Sequence, residues 1–322
     1  MLELELIACP VCGGARSTLI RRAPDRFALA AGEEYKIVRC LDCGMAYVNP
    51  RPVEHVSEEF YRHEGYQPFS SLENRGSFLD RIYRTVRRVN LRWKRRLVEG
   101  YWRGSRVANA GRLLDVGCGT GEFLGAMKKG GWAVEGLERN ENAAGWASKT
   151  WGAPVHTGGV QDLPAGEGLF NVITLWHVLE HLYHPCDALT LLNANLADGG
   201  FLIIASPNIS GVDSRVYGNN WIAIDAPRHV NHFSPGPLID LVSRSGFRLF
   251  ARRQLPFDPF FNALMSEQLL AQRSQSPGIL LPLRIVRFFI VACSSLLGGS
   301  RLFSACFGAT MVFVFQKVRK DL

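Results

Sequence analysis

The stretch Leu113-Leu114-Asp115-Val116-Gly117-Cys118-Gly119-Thr120-Gly121-Glu122-Phe123-Leu124 decides the fold. An apolar run ends in Asp115, glycine then recurs at every second position, and a helical pattern opens with Phe123, Leu124 and Met127. This reads as a strand, a tight loop and a helix start. Glycine is needed where the backbone takes positive φ or passes close to a ligand. The helix N-terminus behind the loop offers free N–H groups and a partial positive charge. The loop is therefore built to hold a small ligand against bare backbone. Its spacing is G-x-G-x-G, not the G-x-G-x-x-G of dinucleotide sites, and Glu122 in place of the third glycine would face a pyrophosphate unfavourably. No Gly-Lys-Ser/Thr is present, which excludes a phosphate-cradling P-loop.

The pattern resembles motif I of the class I S-adenosylmethionine (SAM) dependent methyltransferases. The resemblance implies that Asp115 anchors the loop near the methionine part of SAM, and that Gly117, Gly119 and Gly121 let the cofactor lie on it. Ala133 to Asn140 reads as the second strand, ending in an acidic residue placed to accept hydrogen bonds from ribose hydroxyls; by resemblance this is Glu138. Asp162 with Leu163 matches the family's contact to the adenine amino group. Leu169 to Leu182 reads as a fourth strand running into a helix. It resembles the F-D-x-I-x-x-x-x-V-L-E-H segment of ubiquinone-type methyltransferases, with Asn171 in place of Asp.

His177-x-x-Glu180-His181 also satisfies the inverted zincin pattern. A protease is set aside, because the run enters from a buried strand and a third zinc ligand cannot be placed. A milder metal reading remains: some ubiquinone-type enzymes hold a divalent cation with E-x-x-E-H, and His177 replaces the first Glu here. The competing role for His177 is to line the SAM pocket. Ala197-Asp198-Gly199-Gly200 reads as a turn before a fifth strand, Phe201 to Ala205. Ala226-Pro227-Arg228-His229-Val230-Asn231-His232-Phe233-Ser234 then resembles a P-R-H-x-x-H-F-S/T stretch of bacterial small-molecule methyltransferases. Two imidazoles and a guanidinium there are candidates for proton removal and anion binding. The candidate bases are His229, His181 and His177, with His229 the first choice; His232 alternatively caps the next helix.

Cys9-Pro-Val-Cys12 and Cys40-Leu-Asp-Cys43 form two C-x-x-C turns, each followed by glycine. Four thiolates give a closed tetrahedral site suited to structural Zn²⁺ and leave no open position for chemistry. The expected domains are a zinc-ribbon-like module over 1–52, a basic helical linker over 53–105, and a methyltransferase domain over 106–322. The last is expected to be a Rossmann-like α/β sheet of seven strands, mainly parallel with the final strand antiparallel. In the linker, Ser77 caps a helix whose apolar stripe runs from Phe78 to Leu97. Its other face carries Arg81, Arg84, Arg87, Arg88, Arg92 and Lys94 among its basic residues, and is either solvated or anion-binding. The aromatic stretch Phe60 to Tyr66 before it is placed over the substrate mouth.

An insertion, 256–308, contains the apolar run Ile279 to Gly298, broken by Pro282, Arg284 and Arg287. Its uncharged part is too short to span a bilayer, which takes roughly 20 residues. It is a flap on the substrate site, a homodimer surface, or a peripheral membrane helix. The net charge of +8 favours anionic partners. Met1 to Ala8 lacks the features of a secretory signal, so the expected place is the cytoplasm or the inner membrane face. The expected function is SAM-dependent methylation of a small acceptor: a sugar nucleotide, a glycolipid or a quinone-like molecule. RNA methylation is the alternative, supported by the basic helix and the cysteine module but lacking an Asn/Asp-Pro-Pro-Tyr/Phe motif; a non-catalytic SAM-binding scaffold is the third reading.

Overall fold

The computed structural model describes residues 2–27, 34–61, 78–103, 111–164, 166, 169–273, 281–297 and 308–318. The expected cap Ser77, most of the aromatic stretch after Tyr61, and 298–307 of the insertion lie outside these residues. Chain order begins with β1 (Leu4–Glu5), β2 (Ser17–Pro24), β3 (Glu34–Cys40), β4 (Ala46–Val48) and β5 (Arg51–Pro52). Then come α1 (Phe78–Arg103), β6 (Arg112–Val116), α2 (Glu122–Lys128), β7 (Ala133–Glu138), α3 (Glu141–Trp151) and β8 (Val155–Thr157). The second half holds β9 (Phe170–Trp176), α4 (Pro185–Asn195), β10 (Leu196–Pro207), α5 (Val212–Tyr217), β11 (Asn231–His232), α6 (Pro235–Arg244) and β12 (Phe247–Gln254). It closes with α7 (Asp258–Arg273), α8 (Leu281–Leu297) and β13 (Thr310–Lys317).

Seven strands form the main sheet in the order β12-β13-β10-β9-β6-β7-β8. The pairs from β10 through β8 are parallel, and β13 runs antiparallel to both its neighbours. This is the expected class I methyltransferase sheet. Alternation along the strands builds a core on each face. Leu202, Ile204, Phe313 and Phe315 pack on one side; Phe201, Ile203, Val312 and Val314 pack on the other, with Val98 and Trp102 of α1.

A second sheet has the order β11-β4-β3-β2. Its fourth strand comes from far along the chain: Asn231 pairs with Tyr47 and His232 with Ala46. The cysteine turns lie before β2 and after β3, and their sheet is joined to the histidine-bearing loop through β11.

Two local expectations are corrected. The segment after β9 is not a helix: His177 takes φ 59°, and only a 3₁₀ turn, Leu179–His181, follows before α4. His177 and His181 therefore share no helix face. A non-glycine residue in the left-handed region ends regular structure, and Pro185 starts the next helix. Likewise, Ala197 to Gly200 is not a turn between elements. It is a bulge inside β10, where the pairing jumps from Leu196–Phe170 to Phe201–Val172.

Candidate functional site

The glycine loop leaves the carboxyl end of β6 with Gly117, Gly119 and Gly121 at φ 66°, 55° and 72°. A Cβ at Gly117 would stand 2.5 Å from Cγ2 of Val178, so the loop lies directly against the turn that carries Glu180 and His181. A Cβ at Gly119 would meet nothing within 4 Å, so open space lies over the loop. Glu138 at the end of β7 fastens that loop: its carboxylate accepts from Gly119 N at 2.8 Å and Asn140 N at 2.9 Å. Each oxygen keeps a lone pair for a further donor. Asp115 is buried and accepts from Thr174 Oγ1 at 2.6 Å. Burial raises its pKa to about 7, against the opposing pull of Thr174 and Lys94. Asp162 Oδ2 accepts from Gly159 N at 2.7 Å, and Leu163 packs half-buried on the core beside it. Bare amides, open space and two carboxylates at strand ends fit SAM, on the side where doubly wound sheets bind ligands.

The structure gives two residues of the basic helix a place that the sequence did not. Lys94 of α1 places its ammonium 4.4 Å from the ring centre of Trp176, at the end of β9, and near enough to Asp115 to act on its charge. Arg87 of the same helix pairs with Glu122. The basic face of α1 is thus partly turned onto the glycine loop. Lys94 is one among several basic residues on a helical face, and nothing in the local sequence separates it from its neighbours.

The second half of the site is an imidazole cluster. The rings of His181 and His229 are 4.6 Å apart, and those of His229 and His232 are 6.5 Å apart. His229 Nδ1 lies 2.9 Å from Ala223 O, which assigns the proton to Nδ1 and leaves Nε2 as an acceptor. His181 Nδ1 lies 3.1 Å from Arg228 O and 2.8 Å from Tyr61 Oη. Burial, and then His229, lower the pKa of His181 to about 4 and that of His232 to about 3. Beside them Glu180, Ser206, Trp221, His229, Asn231 and His232 line a cleft too tight, as it stands, for a water molecule. Around it Ser206 Oγ, Asn231 Oδ1, His232 Nε2 and the second carboxylate oxygen of Glu180 are buried with no hydrogen-bond partner among the described residues. Buried polar atoms left unpaired are costly, and a polar group that reached them would satisfy them once the cleft opens.

Two sequence expectations change here. Arg228 does not offer an anion site. Its guanidinium is buried and held by Asp25 at 2.6 and 3.2 Å and by Asp225 at 2.8 Å. His177 does not join His181 as a metal ligand or a free base. Its Nε2 lies 3.1 Å from Asp258 Oδ2 and its Nδ1 3.3 Å from Glu180 Oε1. Burial alone would lower its pKa, but Asp258 and then Glu180 outweigh this and raise it to about 9. An imidazolium has no lone pair to give. The group that does bring ligand atoms within 4.8 Å of one another is Glu180, His181 and His229.

The raised His177 pKa sets a pH dependence. Its ordinary value is 6.5 and its folded value about 9. The charged form is favoured in the fold, so this stabilisation is complete below pH 6.5 and is lost as pH rises through 9. Melting temperature is expected to fall across that window, and His177→Gln to flatten the fall. An identical pH–Tm curve for the variant would remove this assignment.

The cysteines form two matching turns. Gly13 N donates to Cys9 O at 2.9 Å and Gly44 N to Cys40 O at 3.0 Å, with both glycines at positive φ (71° and 76°). Cys9 Sγ lies 3.5 Å from Cys43 Sγ and Cys12 Sγ 3.6 Å from Cys40 Sγ; all four fall within 4.8 Å of one another. Tetrahedral zinc with bonds of about 2.3 Å sets sulfurs roughly 3.8 Å apart, so the donor set fits that ion.

Known proteins bear out the fold. The chain is similar to a ubiquinone biosynthesis O-methyltransferase of Cereibacter sphaeroides, 28% identical over 46% of this chain and 64% of the relative. It is also similar to a tRNA U34 carboxymethyltransferase of Methylococcus capsulatus, 29% identical over 54% of this chain and 53% of the relative. The chain thus spans between half and two thirds of the length of these relatives. Among solved structures, magnesium protoporphyrin IX methyltransferase from Synechocystis, with bound SAH, aligns at TM-score 0.51 and 12% identity, covering 82% of this chain and 99% of that one. The family model described as "Methyltransferase domain" matches residues 83–251, more than half of the chain, and the protein therefore belongs to that methyltransferase family.

Proposed function

We propose that the chain transfers the methyl group of SAM to a small polar acceptor seated at the imidazole cluster, with His229 removing the acceptor proton. The observation that carries this reading is the set of unpaired polar atoms gathered around His229. The ring of His229 stands among unpaired buried polar atoms and 4.6 Å from that of His181, whose turn abuts the glycine loop. The methyl group already carries its activation on the sulfonium, so alignment is the protein's main task. Proton removal by a placed base adds typically ~10²–10⁴-fold. His181, neutral and in contact with Tyr61 and His229, orients the ring that does so. The unpaired acceptors and carboxylate suit a hydroxylated molecule, such as a sugar or a hydroquinone. The relative named for ubiquinone biosynthesis supports the second of these.

We propose further that Gly117, Gly119 and Gly121 support SAM, Glu138 its ribose, Asp162 and Leu163 its adenine, and that Cys9, Cys12, Cys40 and Cys43 hold structural Zn²⁺. Glu138→Ala removes a charged acceptor worth about 1.5–3 kcal/mol, which predicts a SAM Kd weakened roughly 10- to 150-fold in calorimetry. The transfer itself is tested with labelled SAM and panels of sugar-type and quinol-type acceptors. Gain of one methyl group on either supports the reading. The tRNA-acting relative favours a second one, in which methylation appears on tRNA only and binding weakens steeply with salt; that result would displace the small acceptor.

A further inference from the structure

We propose that Lys94 binds the carboxylate at the methionine end of SAM. The residues assigned to the cofactor above hold its adenine, its ribose and the loop beneath it; none answers that carboxylate. The proposal rests on SAM as the cofactor and on nothing about the acceptor. Helix α1 packs on the main sheet with Val98 fully buried, and Lys94 stands one turn before it. Its ammonium lies 4.4 Å from the ring centre of Trp176. Trp176 ends β9, one step beyond Leu175, which pairs with Val116 at the end of β6. The glycine loop leaves from that same strand end. Lys94 is thus held at the carboxyl ends of β6 and β9, on the side from which the loop departs.

The chemistry around the ammonium selects an anion. Among the described residues Lys94 makes no hydrogen bond and no ion pair; its partner is the face of Trp176. Asp115 and Asp258 act on it through space, and burial pushes its pKa down against them. A sheltered ammonium with three unshared N–H donors is costly until an acceptor arrives. Arg87, the other cation that α1 turns toward the loop, is already paired with Glu122. Asp258 is engaged by His177, and Asp115 by Thr174. SAM brings one negative group, the carboxylate, on the carbon that also bears its ammonium. Lys94 suits the first and the charge of Asp115 the second, so the two orient the amino acid end by sign. Fixing that end fixes in turn where the sulfonium methyl points.

The test is calorimetry of the full chain with SAM and with decarboxylated SAM, which keeps the sulfonium and the ammonium but lacks the carboxylate. The unaltered chain should prefer SAM by roughly tenfold or more, the worth of a hydrogen bond between charged groups. Lys94→Met, whose side chain still covers Trp176, should lose that preference: SAM weakens by a similar factor, while decarboxylated SAM holds its affinity or gains. Lys94→Arg should restore the preference in part. Equal affinity of the unaltered chain for the two ligands overturns the proposal without any variant. So does a preference that survives in Lys94→Met, whether both ligands weaken alike or neither does; Lys94 would then be a counter-charge to Asp115 alone. Failure of the unaltered chain to bind either ligand would remove SAM as the cofactor, and this assignment with it.

Discussion

Stripping the metal from Cys9, Cys12, Cys40 and Cys43 is expected to abolish methyl transfer while SAM still binds. Structural zinc contributes about 10–16 kcal/mol in modules of this kind, more than the stability of most small folded units. Loss of the ion should therefore unfold the sheet that the two turns close. The damage then travels by a defined route. Strand β4 pairs with Asn231 and His232, and Val48 N donates to Val230 O at 2.9 Å. Asp25, just past β2, holds Arg228. The loop carrying His229 would lose both supports. The glycine loop and Glu138 belong to the main sheet and keep theirs. Metal analysis should find one zinc per chain. After chelation, calorimetry should show SAM binding retained and turnover gone. Full turnover by the zinc-free chain would sink the argument.

His229→Ala is expected to lower kcat by about 10²–10⁴ with SAM affinity unchanged. The ring is buried against Ala223 O, on a loop apart from the glycine loop and Glu138, so the loss should appear in turnover alone. His229→Gln separates chemistry from packing. An amide keeps a hydrogen-bonding side chain in the cavity but has no base of useful strength, so it too should be inactive while folding normally. Activity in either variant within a few-fold of the parent would assign the base elsewhere, and His181→Gln would be the next variant to examine.

Much of the main sheet is legible in the sequence because its signals are local. Apolar runs end in glycine, acid or turn residues, and each of β6, β7, β9, β12 and β13 lies within a few residues of its expected place. The glycine loop is legible for the same reason. The failures are of another kind. The His177-to-His181 segment carries an apolar pattern compatible with a helix, but His177 takes φ 59° and pairs with a carboxylate from far along the chain as well as with Glu180. That distant carboxylate is Asp258, 81 residues away. The guanidinium of Arg228 reads as an anion hook in isolation; besides the nearby Asp225 it is held by Asp25, 203 residues off. Pairing at such separations leaves no periodicity to read. The candidate site is thus half legible: the cofactor loop from spacing, the acceptor cavity only from the fold.

The strand Asn231–His232 has a practical consequence for anyone who would divide the chain. Cut where the composition changes, near residue 52, the amino-terminal piece would carry its cysteines yet leave one side of Ala46–Val48 without a mate. A bare strand margin rich in buried apolar groups seeks other chains, so such a fragment should clump rather than stay dispersed. The remainder, in turn, would carry its histidines on a ribbon with nothing to lean on.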